Sequence, residues 1–114
     1  MFKTKAELEK TVVSNLRGGK GDLDRFDIFT EEEMLGKARV CAILSLPPGA
    51  SIGEHPHGPD AEIYFILTGT LRVTDDGVTR DVSVGDAVYT GGGKIHGVEN
   101  VSDKEASMLA VVIN

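Results

Sequence analysis

The chain has 114 residues, with 12 lysines and arginines against 18 aspartates and glutamates, which gives a formal net charge of −6 at pH 7. This length suits one small domain with a single hydrophobic core. The acidic balance argues against nucleic acid or an anionic membrane as a partner, and no stretch approaches the roughly 20 apolar residues of a membrane span.

The cysteine content and the amino-terminal segment indicate a protein of the cytoplasm. The chain has one cysteine, Cys41, so no internal disulfide can form. Cys41 lies between Val40 and Ala42, and this apolar setting favours a buried, unreactive thiol over a nucleophile. The segment 1–10 carries charges where a secretion signal needs an apolar run, so the cytoplasm is the expected location.

Residues 1–38 carry mixed signals and are predicted to form an amino-terminal arm. The pattern that begins at Thr4 resembles a capping box and predicts a short helix near Lys5–Lys10. A similar pattern at Thr30 predicts a helical turn near Glu31–Leu35.

Two further features of the arm are a glycine-rich segment and a candidate strand. Arg17–Gly21 contains three glycines and no apolar anchor, and it lacks the G-x4-G-K-[ST] spacing of a phosphate-binding loop. A flexible loop is therefore predicted. Asp24–Phe29 is a candidate edge strand, either within its own chain or exchanged with a partner subunit.

Residues 39–114 are predicted to form one all-β domain. Short apolar runs alternate with turn residues at near-regular spacing, which indicates a sandwich or barrel rather than an α/β fold. Asp75-Asp76-Gly77 predicts a tight hairpin, and Pro47-Pro48-Gly49 predicts a sharp corner. The predicted strands are Arg39–Leu46, Ser51–His55, Glu62–Leu67, Thr70–Asp75, Val78–Val82, Ala87–Thr90, His96–Asn100 and Ser107–Ile113.

All three histidines belong to one pattern that is typical of a metal site. His55 and His57 are two residues apart, so in an extended strand their side chains project from the same face. The turn residues 58–60 then reverse the chain, and Glu62 opens a strand that faces the histidine pair. A glycine-dense turn at 91–93 precedes His96.

These four side chains, His55, His57, Glu62 and His96, predict one divalent transition metal ion. Three neutral imidazoles and one carboxylate suit Mn, Fe, Co, Ni, Cu or Zn, whereas a calcium site is built of oxygens. The expected bonds from such ligands to the ion are roughly 2.0–2.3 Å long. Four protein ligands on a six-coordinate ion leave two positions for water or substrate, as in catalytic metal sites.

Both segments resemble the two motifs of the cupin superfamily. The first motif, G-x5-H-x-H-x4-E-x6-G, is matched at every spacing by Gly49, His55, His57, Glu62 and Gly69. The second, G-x5-P-x-G-x2-H-x3-N, is matched by Gly85, Gly93, His96 and Asn100. Gly91 replaces its proline, which makes the turn before His96 more flexible but removes no ligand. The resemblance implies the cupin double-stranded β-helix, or jelly-roll barrel, over residues 39–114.

Strand alternation predicts which side chains surround the site. If Glu62 faces the interior, then Tyr64, Ile66 and Thr68 share that face, and Val98 adds an apolar wall beside His96. Tyr64 becomes a candidate for contact with a substrate, with simple core packing as the alternative. The opposite face of this strand is too apolar for water, so a second sheet or a second subunit should cover it, and a homodimer is predicted. That face carries Ile63, Phe65 and Leu67.

The resemblance leaves the function open, because cupins include oxidases, dioxygenases, decarboxylases, isomerases, epimerases and binding proteins. The leading prediction is a metal-dependent enzyme, such as a decarboxylase, dioxygenase or isomerase, acting on a carboxylate, keto acid or sugar derivative. Glu62 and Tyr64 are its candidate catalytic residues. The alternatives are a non-catalytic module that binds a metal or small molecule, and a structural barrel with a vestigial site.

Oxalate decarboxylases and germin-type oxalate oxidases are the named cupins that the pattern invites for comparison. The decarboxylases carry an arginine three residues before the first histidine of the pair, where it binds the free carboxylate of the substrate. The germin-type oxidases carry an asparagine there. This chain has Ile52 at that position, which disfavours both specific assignments.

Overall fold

The computed structural model describes residues 1–114, which form ten β-strands in two antiparallel sheets. The larger sheet has the strand order β1-β2-β3-β10-β5-β8, and the smaller has the order β4-β9-β6-β7. The strands are β1 Lys10–Ser14, β2 Asp22–Asp27, β3 Ala38–Leu46, β4 Ser51–His57, β5 Ala61–Thr68, β6 Thr70–Asp75, β7 Val78–Ser83, β8 Ala87–Gly91, β9 Lys94–Glu99 and β10 Ala106–Ile113. This architecture confirms the predicted all-β jelly-roll fold.

The eight strands predicted after residue 38 are all present, with ends that differ by a residue or two. The predicted hairpin joins β6 to β7, and Asp76 and Gly77 have φ angles of 50° and 78°. A two-residue turn with positive φ at both positions matches the twist of the flanking strands, which explains the choice of Asp-Gly. The chain forms no helix with the length and apolar character needed to cross a membrane.

Asn100, the last residue of the second motif, connects the turn after β3 with the turn after β9. Its side chain is fully buried and donates to the carbonyl oxygens of Leu46 and Lys104, both at 2.8 Å. Its side-chain oxygen accepts from the backbone and the hydroxyl of Ser102. Its carbonyl oxygen accepts from the amide of Gly49, at the predicted Pro-Pro-Gly corner. The asparagine therefore fixes the corner through which the chain passes from the larger sheet to the smaller one.

The core lies between the two sheets, and a bulge changes one of the predicted inward positions. Glu62, Tyr64 and Ile66 of β5 face inward as predicted. Thr68 does not, because the pairing with β10 shifts register after Ile66, and its hydroxyl bonds to that of Ser107 on the surface. Val98 is buried as predicted. The main core residues are Leu23, Ala42, Leu44, Leu46, Ala50, Ile52, Tyr64, Ile66, Leu71, Val73, Val98, Ala106, Met108 and Ala110.

The outer face of the larger sheet is apolar and partly exposed to solvent. Phe65 and Leu67 are 41% and 36% exposed. Cys41 points to the same face and is half-buried rather than buried. Burial raises the pKa of its thiol, against a smaller opposing effect of a hydrogen bond with the backbone of Phe29, so the thiol stays protonated at neutral pH.

The amino-terminal arm departs most from prediction. The helix predicted near Lys5–Lys10 is only a 3₁₀ turn, Lys5–Glu7, and no side chain caps it. β1 is missing from the predicted strands because most of its side chains are exposed, so no alternating apolar pattern marks it. The candidate strand Asp24–Phe29 is present as β2, but it is not an edge strand, because it pairs with β1 and β3 of its own chain.

The Thr30 capping box is present. The amide of Glu33 donates to the Thr30 hydroxyl at 3.1 Å, and the amide of Thr30 donates to the Glu33 carboxylate at 2.9 Å. These reciprocal bonds fix the first turn of the segment 31–36.

The glycine-rich segment Arg17–Gly21 is docked on β4, so the prediction of a flexible loop is wrong. It begins in the second 3₁₀ turn, Leu16–Gly18. The amide of Ser51 donates to the Lys20 carbonyl, and the Lys20 amide donates to the Ser51 hydroxyl, both at 2.9 Å. A Cβ atom on Gly19 would lie 2.1 Å from the carbonyl oxygen of Ser51. The segment therefore covers the open edge of the smaller sheet at the strand that carries two histidines.

Candidate metal centre

Three strands bring together the four side chains that the sequence singles out. His55 on β4 lies directly opposite His96 on β9 in the smaller sheet. The pairing of these strands shifts register between Ile52 and His55, so both side chains face inward although they are three residues apart. His57 follows on the same face of β4, and Glu62 on β5 faces them from the larger sheet.

The ligand atoms of these four residues converge in the interior. The Glu62 Oε1 atom lies 3.1 Å from His57 Nε2, 3.0 Å from His96 Nε2 and 3.9 Å from His55 Nε2. His55 Nε2 and His96 Nε2 are 3.0 Å apart. All four residues are buried, and their ligand atoms lie within 4.8 Å of one another.

The other ring nitrogen of each histidine determines its tautomer. His55 Nδ1 lies 2.7 Å from the carbonyl oxygen of Gly53, and His57 Nδ1 lies 3.1 Å from the carboxylate of Asp60. Neither oxygen can donate, so each Nδ1 carries the proton. Each Nε2 then presents a lone pair to the centre.

The tautomer of His96 is determined by a hydroxyl group. Its Nδ1 lies 2.9 Å from the Thr90 hydroxyl oxygen. The single hydroxyl proton of Thr90 is donated to Asp75 at 2.5 Å, so this oxygen can only accept from His96. The Nε2 of His96 is therefore also a free lone pair, in the orientation that metal-binding histidines adopt.

The donor set fits a divalent transition metal ion. Three imidazole lone pairs and one carboxylate point at the same small volume, and contacts between acceptors repel unless a cation lies among them. Burial raises the pKa of Glu62, but hydrogen bonds and positive charge from His55 and His96 outweigh burial and lower this pKa to about 2 when these imidazoles carry the protons. A cation bound among the Nε2 atoms in place of those protons would act in the same direction. The carboxylate is therefore ionised at neutral pH and offsets part of the charge of an ion.

Tyr64 lies against the same cluster. Its ring stacks on that of His96, with centroids 4.9 Å apart and planes 8° apart, and its hydroxyl oxygen lies 3.3 Å from His96 Nε2. Burial, followed by the negative charge of Glu62, raises the pKa of Tyr64 well above its usual value. The phenol therefore keeps its proton and can act as a hydrogen-bond donor inside the site.

Sequence reasoning missed the groups that hold the histidines. Asp60 binds His57 and is itself paired with Arg39. The position of Asp60 in the turn between His57 and Glu62 is a signal that could have identified it. Thr90 carries no such signal, because its partner His96 is six residues away and Asp75 lies on another strand.

A cavity of about 130 Å³ opens onto the site, and its lining includes His55, His57, Glu62 and Tyr64. This volume is far below the roughly 300 Å³ at which pockets for drug-sized ligands begin. Three arginines also line the cavity, although the chain as a whole is acidic. They are Arg17, Arg25 and Arg39. The site is thus shaped for a small ligand and is cationic along its wall.

Comparisons with known proteins agree with the fold and the motifs. A family model described as Cupin domain matches residues 42–112. A Thermotoga maritima protein named oxalate-binding protein is 38% identical over 108 residues, which is 95% of this chain and 89% of that protein. The crystal structure of a predicted oxalate decarboxylase from Thermotoga maritima superposes with a TM-score of 0.96 at 37% identity, covering 99% of this chain and 98% of that one.

A more distant structure shows the fold alone. KdgF from Halomonas sp. superposes with a TM-score of 0.78 at 17% identity, covering 100% of this chain and 94% of that one. The family match spans more than half of the chain and includes all four converging residues. On these grounds, the chain belongs to the cupin family.

Proposed function

We propose that the protein holds one divalent transition metal ion through His55, His57, Glu62 and His96, and binds a small carboxylate at the open positions of that ion. The observation that carries this proposal is the convergence of three imidazole lone pairs and one carboxylate at the wall of a small cavity. Oxalate is the first ligand to test, because the relative that is 38% identical is named an oxalate-binding protein.

The ion, Tyr64 and the cavity wall would each contribute differently to ligand binding. When bound, the ion supplies a Lewis acid for carboxylate oxygens. Tyr64 offers a phenolic proton to a ligand oxygen, and the cavity wall excludes larger ligands by its volume of about 130 Å³. Ile52 lines the same cavity, so the chain lacks a carboxylate-binding side chain at that position. The ligand carboxylate that faces away from the metal would therefore be bound by a residue at another position.

Binding without turnover is the better supported of two functions for this site. The Nδ1 protons of the three histidines are engaged with Gly53, Asp60 and Thr90. Tyr64 keeps its proton at neutral pH, and the ionised Glu62 carboxylate is assigned to the metal, so neither of these two candidate catalytic residues is free to act as a general base. A metal-dependent enzyme is the second candidate, and the observation that favours it is the Tyr64 hydroxyl beside the ligand cluster, where it could donate to a reacting carboxylate.

The test of the proposed function is calorimetric titration of oxalate into protein loaded with Mn²⁺ or Zn²⁺ and into metal-free protein. We expect binding only to the loaded protein. Equal binding to both forms would contradict the proposal. A parallel screen of oxalate, keto acids and sugar phosphates, with and without oxygen, separates the two candidates, since turnover of any of them selects the enzyme.

Tyr64→Phe should weaken oxalate binding by about tenfold, the usual effect of losing one hydrogen bond to a ligand, and should leave metal binding unchanged. The substitution removes only a hydroxyl group and keeps the ring stacked on His96. The matched control is Tyr89→Phe, because Tyr89 is 64% exposed and lies outside the cavity. Titration of both variants measures the effect. Equal affinity in wild type and Tyr64→Phe would assign Tyr64 to core packing alone.

We also propose that the outer face of the larger sheet joins two copies of the chain. Cross-strand pairing aligns Phe65 with Leu109 and Leu109 with Ile43, so a continuous apolar row crosses three strands. A neighbouring row aligns Ile63 with Val111 and Val111 with Cys41. Two copies of an apolar face of this kind can bury it against each other, as in a two-fold symmetric dimer.

Light scattering should give the mass of two 12.1 kDa chains for the wild type and of one chain for Phe65→Glu. The variant places a charge at the centre of the apolar row, where burial against a second copy would be costly. Val84→Glu is the matched control, because Val84 is 65% exposed and lies outside the strands of that face. A wild-type protein with the mass of one chain would contradict the dimer.

A further inference from the structure

Three arginine residues line the cavity beside the metal ligands, but they are not equivalent. Arg39 is paired with Asp60, the residue that also binds His57. Arg25 is paired with Asp27 at 2.9 Å. Arg17 is exposed, and no carboxylate of the chain lies within ion-pairing distance of it. The one unneutralised charge along the cavity wall therefore belongs to Arg17.

The backbone at Arg17 is unusual for a residue with a side chain. Arg17 has a φ of 54°, in the left-handed region that glycine adopts freely and other residues adopt at a cost. Gly18, next in the chain, has a φ of 77°. Glycine would therefore suit the backbone of position 17 better than arginine does. Such strain is typical of functional positions.

The position of Arg17 is also fixed by close backbone packing. A Cβ atom on Gly53 would lie 2.1 Å from the Arg17 carbonyl oxygen, so this approach requires glycine at position 53. Gly53 lies next to Ile52 and two residues before His55, on the strand that carries the histidine pair. The loop thus holds Arg17 against the strand of the metal site, where this residue lines the cavity. Its positive charge is close enough to act on the buried Tyr64 hydroxyl, which also lies in the cavity wall.

We propose that Arg17 binds the carboxylate oxygens of the ligand that face away from the metal, and thereby sets the preference of the site for small carboxylate anions. A guanidinium group offers two parallel N–H donors that match a carboxylate, and it stays charged at any physiological pH. This inference rests on the proposed function, since it assigns the carboxylate of a metal-held ligand to a particular partner.

The test compares two probes on protein loaded with Mn²⁺ or Zn²⁺ and freed of excess metal. Oxalate reports on metal and arginine together, whereas imidazole is a neutral metal ligand that reports on the open positions of the ion alone. The variants are Arg17→Met, which keeps a long side chain, and Arg17→Gly, which suits the left-handed backbone. Arg80→Met is the control for net charge, because Arg80 is exposed and lies outside this cavity.

We expect both Arg17 variants to bind oxalate at least tenfold more weakly and to bind imidazole as the wild type does. Arg80→Met should stay within twofold of wild type for both probes. Arg17→Gly should melt no lower than wild type, since it relieves the strained backbone. Such a loss of binding without a loss of stability identifies a functional rather than a structural side chain.

Three results would overturn the inference, and the third would also overturn the proposed function. Wild-type affinity for oxalate in both Arg17 variants would exclude Arg17 from the site. A clearly lower melting temperature for Arg17→Gly would assign the side chain to stability. Wild-type protein that binds imidazole but not oxalate would overturn the proposed function itself, and the inference with it.

Discussion

His57→Ala is expected to lower the affinity of the protein for Zn²⁺ or Mn²⁺ by more than about 100-fold. The reason is that changes to residues that only support a metal ligand already cost about 10- to 100-fold, and His57→Ala deletes the ligand itself. The substitution replaces the imidazole with an apolar methyl group. It thereby removes the Nε2 atom that now lies 3.1 Å from Glu62 Oε1. Three ligands would remain for an ion that the wild type holds with four.

Thermal unfolding with and without metal measures this loss. An ion that binds only the native state, at a free concentration 100 times its Kd, adds about 2.7 kcal/mol to the free energy of unfolding. For a domain of this size, that corresponds to a rise of roughly 10 °C in the melting temperature. We expect the rise in wild type, its reversal by a chelator and its loss in His57→Ala. A metal-dependent rise of the same size in the variant would contradict the assignment of His57.

Two aspartates that are each paired with an arginine provide a matched comparison for this experiment. Asp60 pairs with Arg39 and also binds His57 Nδ1, whereas Asp81 pairs with Arg72 on the surface and contacts no histidine. Asp60→Ala should therefore weaken metal binding by about 10- to 100-fold, and Asp81→Ala should leave it unchanged. Equal effects of the two substitutions would show that charge, rather than the orientation of His57, is responsible.

The metal cluster could be predicted from the sequence because its geometry is local. Alternation along one strand places His55 and His57 on the same face, and a short turn brings Glu62 opposite them. His96 is more distant in sequence, and its assignment depended on the motif around it. The direct pairing of His55 with His96 in the smaller sheet is what joins the two halves of the site.

Alternation failed where a bulge interrupts it. Thr68 would face inward with Glu62 in a regular strand, but the register shift beside Ser107 turns it outward. The same kind of shift has the opposite effect on β4, where it brings Ile52 and His55 to the same face. Bulges depend on the partner strand, so a single strand read alone does not reveal them.

The role of the glycine-rich loop was beyond sequence reasoning for a related reason. Three glycines indicate an irregular backbone, but they do not indicate which strand the backbone approaches. The contact requires glycine on both sides, at Gly19 and at Gly53, which are far apart in sequence. Arg17 belongs to no motif, so its place in the cavity wall follows only from this docking.

Gly19→Ala is expected to detach this loop from β4 and to lower the free energy of unfolding by about 1–3 kcal/mol, the usual cost of forcing extra atoms into a packed site. The new Cβ atom would lie 2.1 Å from the Ser51 carbonyl oxygen, which belongs to the backbone of a strand and cannot move aside freely. Lifting the loop also breaks the two hydrogen bonds between Lys20 and Ser51. Gly58→Ala is the control, because a Cβ atom there meets no atom within 4 Å.

Gly58→Ala should be neutral or slightly stabilising, since alanine restricts the unfolded chain. The metal-dependent rise in melting temperature should survive in Gly19→Ala, because the four ligands lie on β4, β5 and β9 and not on the loop. Oxalate affinity should fall as it does in Arg17→Met, because a displaced loop carries Arg17 away from the cavity. Wild-type stability together with wild-type oxalate affinity in Gly19→Ala would show that the loop is not held against β4. Arg17 would then lack the fixed position that lets it select a carboxylate.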